Sequence, residues 1–370
     1  MKKVLFLIPN LAHGGAEKVL VNLVNNLDKT KFDVTVQTLF DVGINRKYLN
    51  SDVKYIGGYK KMPRGNSHIM KLFSPERLYT HFIKEDYDII VSYLEGPTAR
   101  IASGCSNKKT KLVSWIHIEQ YTKKIASGSF RSYKEAFECY SKFNKTICVS
   151  NTVKEDFQSI FNLKNSVDVL YNTNESEKII SKSHEKINDL VMDDDITNIV
   201  SVAKLVSSKG YDRLMRIHKK LLEQGVKNHI YILGIGEEKE KFEKYLKENG
   251  LENSFSFLGY RDNPYKYVKN ADLYVCSSRR EGFSTAVTEA LIVGTPVVST
   301  NCSGAYELLG YNDEYGIVTK NDEESLYEGI YKMLTEKDLL DYYKAKAQER
   351  GKEFTTKKTV LAVENMLLSL

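Results

Sequence analysis

The sequence lacks any apolar run approaching the roughly 20 residues that span a bilayer. Its opening MKKVLFLIPN has an apolar run that stops at Ile8 with no small-residue cleavage site after it, so it reads as a buried first strand and not as a signal peptide. Cysteine is scarce: Cys105, Cys139, Cys148, Cys276 and Cys302 are odd in number, scattered and free of any CxxC pair. That pattern excludes a disulfide framework and a zinc site, and fits a soluble protein in a reducing cytoplasm. There is no GxGxxG dinucleotide fingerprint, no Gly-Lys-Ser/Thr phosphate loop and no GxSxG elbow, which disfavours a hydrolase. No zinc finger, basic zipper or RRM signature is present, so a nucleic-acid partner is not expected. No repeat of 20 to 50 residues and no low-complexity tract interrupts the chain.

At 370 residues, with 42% hydrophobic and 28% charged side chains, the chain is longer than one core usually supports, and two domains are expected. The charge divides unevenly. Residues 1–172 hold 26 Lys/Arg against 16 Asp/Glu, a net of +10, and the remainder holds 28 against 32, a net of −4. The excess gathers in KKMPRG (60–65) and between Lys108 and Lys145, where aromatic residues are interleaved. Such a surface either meets an anionic membrane or is simply a solvated face.

Short β-rich apolar runs at 4–8, 32–39, 88–93, 111–116 and 146–150 alternate with segments of helical period, the signature of a parallel sheet. The pattern fades through the polar stretch 173–195, read as a linker, and restarts at 197–203, 229–234, 254–259, 271–277, 295–300 and 314–319. Two doubly wound, Rossmann-like α/β domains in tandem are expected, over 1–172 and 196–352. Ligands of such sheets bind outside the carboxyl ends of the strands, so two facing sheets would make a cleft.

Three stretches carry candidate chemistry. Asn10 to Glu17, NLAHGGAE, puts Gly14 and Gly15 between the first strand and an amphipathic helix, either as an anion cradle or as a tight turn. AKLVSSKG (203–210) places Lys204 and Lys209 on a strand-to-helix loop, where two lysines can converge on one diphosphate as point charges. REGFSTAVTE (280–289) sets Glu281 on a loop and Glu289 about two turns into a helix that begins near Ser284. Carboxylates so placed suit sugar hydroxyls, although this spacing also arises by chance and a glutamate near a helix N-terminus is stabilising in itself.

Together with LGIGEEKEK, FLGY and EALIVGTPVVST, these stretches resemble, in order along nearly the whole chain, the retaining glycosyltransferases of family 4, of bacterial cell-surface polysaccharide type. The resemblance implies the GT-B fold: an amino-terminal acceptor domain, a carboxyl-terminal nucleotide-sugar domain, and a last segment, 353–370, crossing back to the first. It implies that Glu281 binds the transferred sugar and Glu289 the ribose of the donor, as in the family's paired-glutamate motif. Lys209 matches the lysine on the donor diphosphate; Lys204 stands where the family usually has arginine, which keeps the charge but loses the bidentate fork. Gly14 and Gly15 resemble the loop that approaches the diphosphate, and Gly259, Tyr260 and Arg261 the base-binding loop. Gly282, Phe283, Ser284 and Thr285 would lie along phosphate and sugar. His117, after a strand end in SWIHIEQ, matches a histidine that contacts the donor sugar, so His117, Glu281 and Lys209 are the implied catalytic set.

The implied reaction moves a hexose or N-acetylhexosamine from a nucleotide sugar, with UDP the nucleotide common in the family, with retention and without a covalent intermediate. The implied acceptor is a glycan, free or linked to a polyprenyl diphosphate, as in capsule, O-antigen or exopolysaccharide assembly at the inner face of the membrane. No metal or cofactor is required, and Asp193-Asp194-Asp195, which formally matches a DxD motif, reads as solvated linker. The competing readings are an idle sugar-nucleotide-binding subunit of another transferase and a GT-B epimerase.

Overall fold

The computed structural model describes every residue except His13, Arg64, Lys164, Asn165 and Asp194. It has two compact units, Met1–Asn174 with Thr356–Leu370, and Glu175–Thr355.

The first unit is built on seven parallel strands: β1 (Lys2–Ile8), β2 (Phe32–Thr38), β3 (Lys54–Ile56), β4 (Ile89–Tyr93), β5 (Lys111–Ile116), β6 (Lys145–Cys148) and β7 (Ser166–Val169), in the order β3-β2-β1-β4-β5-β6-β7. Strands covered on both faces need continuous apolar runs, and Val4 to Ile8 are all fully buried. Each such side chain contributes roughly 1.5–3 kcal/mol. The helix Gly15–Asn26 follows β1 and buries Val19, Leu20, Leu23 and Val24, as its spacing predicts. β3 and β7 were not expected: both are short edge strands of three and four residues with little buried surface to mark them.

The second unit holds six parallel strands: β8 (Thr197–Val202), β9 (Asn228–Leu233), β10 (Phe255–Gly259), β11 (Leu273–Cys276), β12 (Val297–Thr300) and β13 (Ile317–Thr319), in the order β10-β9-β8-β11-β12-β13. Ile199, Ile230, Leu273 and Val298 from the sheet pack with Leu214, Ile217 and Leu221 of the helix Tyr211–Glu223 in one core. In both sheets the strand order reverses beside the first strand, at β1/β4 and at β8/β11. Those are the switch points where doubly wound sheets receive ligands, beyond the carboxyl ends.

Two boundaries differ from expectation. The stretch read as a linker contains the helix Ser176–Ser183, which packs on the helices Tyr265–Asn270 and Thr285–Val293 and belongs to the second unit. Its polar composition hides a single buried Ile179, while Asp189 accepts from the Tyr267 hydroxyl at 2.6 Å. The last crossing begins later than 353: Phe354 stays in the second unit against Phe283, and Thr356–Leu368 forms the helix that joins the first. There Glu364 accepts from the Asp28 backbone N–H at 2.8 Å and pairs with Lys31 at 3.2 Å, and Lys2 donates to the Leu367 carbonyl at 3.0 Å.

Candidate active site

In the second unit, the loops leaving β8 and β11 flank the switch point and are laced together. Gly210 closes the β8 loop with φ +69°, and a Cβ there would lie 2.0 Å from the Ser277 carbonyl oxygen, so only glycine permits this approach. Ser277 in turn donates to the Lys209 carbonyl at 2.8 Å. Arg279 donates to the Ser207 carbonyl at 2.7 Å and forks onto Asp212 at 2.7 and 2.8 Å. Burial works against the Asp212 charge, but Arg279 and Arg216 overcome it and hold the carboxyl well below the usual range.

Across this seam Lys209 Nζ meets Glu281 Oε1 at 2.7 Å, and the Ser278 hydroxyl donates to the same oxygen, also at 2.7 Å. The two charged side chains are 21% and 16% exposed. Burial disfavours the Lys209 ammonium, yet the touching carboxylate outweighs it and raises the lysine above its ordinary value. Lys204 stands exposed, two residues beyond β8.

The helix Thr285–Val293 begins where expected because the Ser284 hydroxyl caps it, accepting from Val287 N–H at 3.3 Å. Glu289 lies within that helix and is buried. Phe283 departs from expectation: its ring is buried and packs edge-on to Phe354 with centroids 6.1 Å apart, so it anchors the loop from below, leaving only its backbone for a ligand. Gly259 ends β10, two strands away from β8, and Tyr260 and Arg261 follow it; Arg261 lies 3.2 Å from Asp189 as an ion pair and Tyr260 is exposed.

In the first unit, Gly14 and Gly15 open the helix after β1. A Cβ on Gly14 would overlap the Glu17 carboxylate at 1.8 Å, so that carboxylate lies directly over the glycine. The loop is buttressed by the Leu11 N–H donating to Val42 O at 3.1 Å and by Asn45, whose side chain donates to the Ala12 carbonyl. His13 falls outside the described residues. His117 follows β5, its backbone N–H donating to Glu95 Oε2 at 3.0 Å, and its ring lies 4.6 Å from Tyr93 and 6.3 Å from Trp115, centroid to centroid. Nε2 is buried without a hydrogen-bond partner among the described residues, and burial pushes the imidazole down to about 3. A neutral imidazole of this kind exchanges hydrogen bonds with hydroxyls and carries no charge at neutral pH.

The structure thus brings Lys209 and Glu281 into contact and adds Ser278, which motif reading did not single out. It also adds Arg213, buried, whose guanidinium donates to Ser277 O at 3.0 and 2.6 Å, to Ser278 O at 2.9 Å and to Asn321 at 2.9 Å. A signal for Arg213 exists: it occupies the same helical stripe as buried Ile217 and Leu221, where a charge needs a dedicated partner.

A family model described as Glycosyltransferase Family 4 matches residues 13–174, and one described as Glycosyl transferases group 1 matches residues 182–350. The chain belongs to the GT-B glycosyltransferases. Among relatives of this glycosyltransferase, the N-acetylgalactosamine-N,N'-diacetylbacillosaminyl-diphospho-undecaprenol 4-alpha-N-acetylgalactosaminyltransferase of Campylobacter jejuni is 27% identical, over 96% of each chain. The amylovoran biosynthesis glycosyltransferase AmsD of Erwinia amylovora is 26% identical over 85% of this chain and 86% of its own. The crystal structure of Anabaena HepE in complex with UDP and glucose superposes over the full length of both chains with a TM-score of 0.79 at 19% identity, a likeness of fold.

Proposed function

We propose that this GT-B glycosyltransferase moves a hexose or N-acetylhexosamine, with retained configuration, from a UDP-sugar to a glycan acceptor carried on a lipid diphosphate, in the assembly of a cell-surface polysaccharide. The observation that carries this reading is the Lys209–Glu281–Ser278 contact at the second unit's switch point, with Glu289 farther along the helix that follows. Both donors to Glu281 meet Oε1, which leaves Oε2 as the oxygen for a sugar hydroxyl. Glu289 takes the two ribose hydroxyls. Lys209 and Lys204, with the capped helix N-terminus at Ser284 and Thr285, stabilise the departing diphosphate. The UDP and glucose of the Anabaena neighbour and the diphospho-undecaprenol in the name of the Campylobacter relative support the choice of donor and acceptor.

In this reading the acceptor hydroxyl attacks the anomeric carbon on the face from which UDP leaves. The new carbon–oxygen bond forms as the bond to the β-phosphate breaks, and the hydroxyl proton passes to the leaving phosphate oxygen. His117, neutral, hydrogen-bonds a hydroxyl of the transferred sugar. The protein supplies orientation and charge, and no metal has a role. The net +10 of residues 1–172 supports peripheral contact with the anionic inner face of the membrane; equal co-sedimentation with neutral and anionic vesicles would count against it. The donor reading is tested by thermal shift with UDP, GDP, ADP and CMP on wild type and Glu289→Ala. Selective stabilisation by UDP, weakened in the variant, is expected; no shift with any nucleotide in a folded protein would overturn it.

A further inference from the structure

A cavity of about 740 Å³, within the roughly 300–1,000 Å³ of small-molecule sites, opens in the first unit and includes none of Gly14, Gly15 and His117 in its lining. Its walls come from Phe40 after β2, from Tyr59 after β3, and from Met70, Leu78 and Phe82 of the following helical segment. Lys60, Lys61 and Arg77 line it as well, and among the described residues no carboxylate does. The chamber is therefore apolar inside and cationic at its lining charges.

Its wall is held in place at some cost. Arg100, 1% exposed, donates to the Met70 carbonyl at 2.8 Å and the Phe73 carbonyl at 2.7 Å while pairing with Glu135. Arg131 donates to the Lys71 and Leu72 carbonyls at 2.6 and 3.2 Å. Two guanidinium groups thus fasten the backbone of 70–73. The same segment leaves Ile69, Leu72 and Phe73 at 52%, 75% and 45% exposure. Apolar side chains held rigidly in water next to an apolar chamber mark a surface that something else covers.

The occupant is narrowed by three features. An open-mouthed cavity of this volume with an apolar lining suits a hydrocarbon chain; lysines with no carboxylate beside them among the described lining residues suit a phosphate; and the residues after β2 and β3 lie at the carboxyl edge of the sheet, the side that also carries the Gly14–Gly15 loop. Asn10, at the head of that loop, reaches Met62 Sδ at 3.9 Å, so the lysine segment and the glycine loop adjoin. We propose that this cavity seats the hydrocarbon chain of a phosphate-headed carrier lipid, with the chain against Phe40, Met70 and Phe82 and the phosphate at Lys60 and Lys61. The proposal rests on the lipid-linked acceptor given above and adds the place where the lipid itself is held.

The test uses the full chain with geranylgeranyl phosphate as the probe, compared with geranylgeraniol and inorganic phosphate by calorimetry, while the UDP thermal shift is followed in parallel. Wild type is expected to bind the lipid phosphate saturably and at least tenfold more tightly than either fragment. Ile69→Asp, at an exposed position on the cavity wall, is expected to weaken it at least tenfold. Lys60→Glu with Lys61→Glu should erase the preference for the phosphate over the alcohol, and the UDP shift should be unchanged in both. Absence of saturable binding to wild type, or equal affinity in both variants, overturns the proposal. So does complete displacement of the probe by phosphatidylglycerol vesicles at equal lipid, which would make the chamber a site for bulk membrane lipid. A lost UDP shift with lipid binding intact would strike the donor reading and leave the cavity's ligand standing.

Discussion

Gly210→Ala is the most searching perturbation of the seam that carries the site. A left-handed backbone costs a non-glycine residue about 1–2 kcal/mol, and Gly210 sits at φ +69°. The added methyl would also lie 2.0 Å from the Ser277 carbonyl oxygen and 2.9 Å from Arg213 Nε. The β8 and β11 loops must then part, which weakens the two charged hydrogen bonds from Arg213 to Ser277 O. Bonds of that kind contribute about 1.5–3 kcal/mol each; weakening both by about half adds about 1.5–3 kcal/mol to the backbone cost, so the total loss is expected to be about 3–5 kcal/mol. Gly225 is the internal control: its φ is +79°, and nothing lies within 4 Å of a Cβ built there. Gly225→Ala should therefore lose only the backbone share, about 1–2 kcal/mol. Urea unfolding followed by circular dichroism measures both, and the UDP thermal shift should shrink in Gly210→Ala alone, because Lys209 is its immediate neighbour. Equal destabilisation by the two alanines would refute the claim that the two loops touch.

Lys209→Met and Glu281→Gln should be non-additive, with a coupling of about 1–3 kcal/mol in a double-mutant cycle read by urea unfolding; agreement with simple addition to within about 0.5 kcal/mol would show that the pair is not formed in solution. Stability should also fall on mild acidification. Burial lowers His117 to about 3 and His218 to about 4, so the unfolded chain takes up protons below its ordinary histidine value that the native chain refuses. The stability from these two groups is complete above about pH 6.5 and is lost as pH falls toward 4 and then 3, about 2 kcal/mol for each by pH 5. His218→Gln should flatten the slope between pH 6.5 and 4 in urea midpoints, and an unchanged slope would rule out His218 as its source.

Much of the architecture is legible in the chain because parallel strands covered on both faces demand apolar runs, and helices between them demand a 3.6-residue period. Val4 to Ile8 and the helix after Gly15 could hardly be read otherwise. β3 and β7 escaped notice because an edge strand of three or four residues buries too little to need an apolar run. The stretch 173–195 misled for a related reason: its helix docks by one isoleucine and by side-chain hydrogen bonds, and composition averages those into a linker. Among candidate site residues, Glu281, Glu289 and Lys209 were singled out by motif, while Ser278 and Arg213 were not, since a serine next to a loop and an arginine within a helix are ordinary until a partner is placed beside them.

The sequence by itself determined two doubly wound sheets, the glycine-bearing turns after their first strands, and the identities of the acids and bases available there. Only the tertiary structure decided that Lys209 meets Glu281, that Phe283 faces the core, and that Arg100 and Arg131 fasten an apolar wall. The reason is physical. Periodicity and turn chemistry act between residues a few positions apart, whereas an ion pair spanning 72 positions or a guanidinium satisfying carbonyls 27 and 30 residues away exists only once the sheet has brought distant loops to one edge.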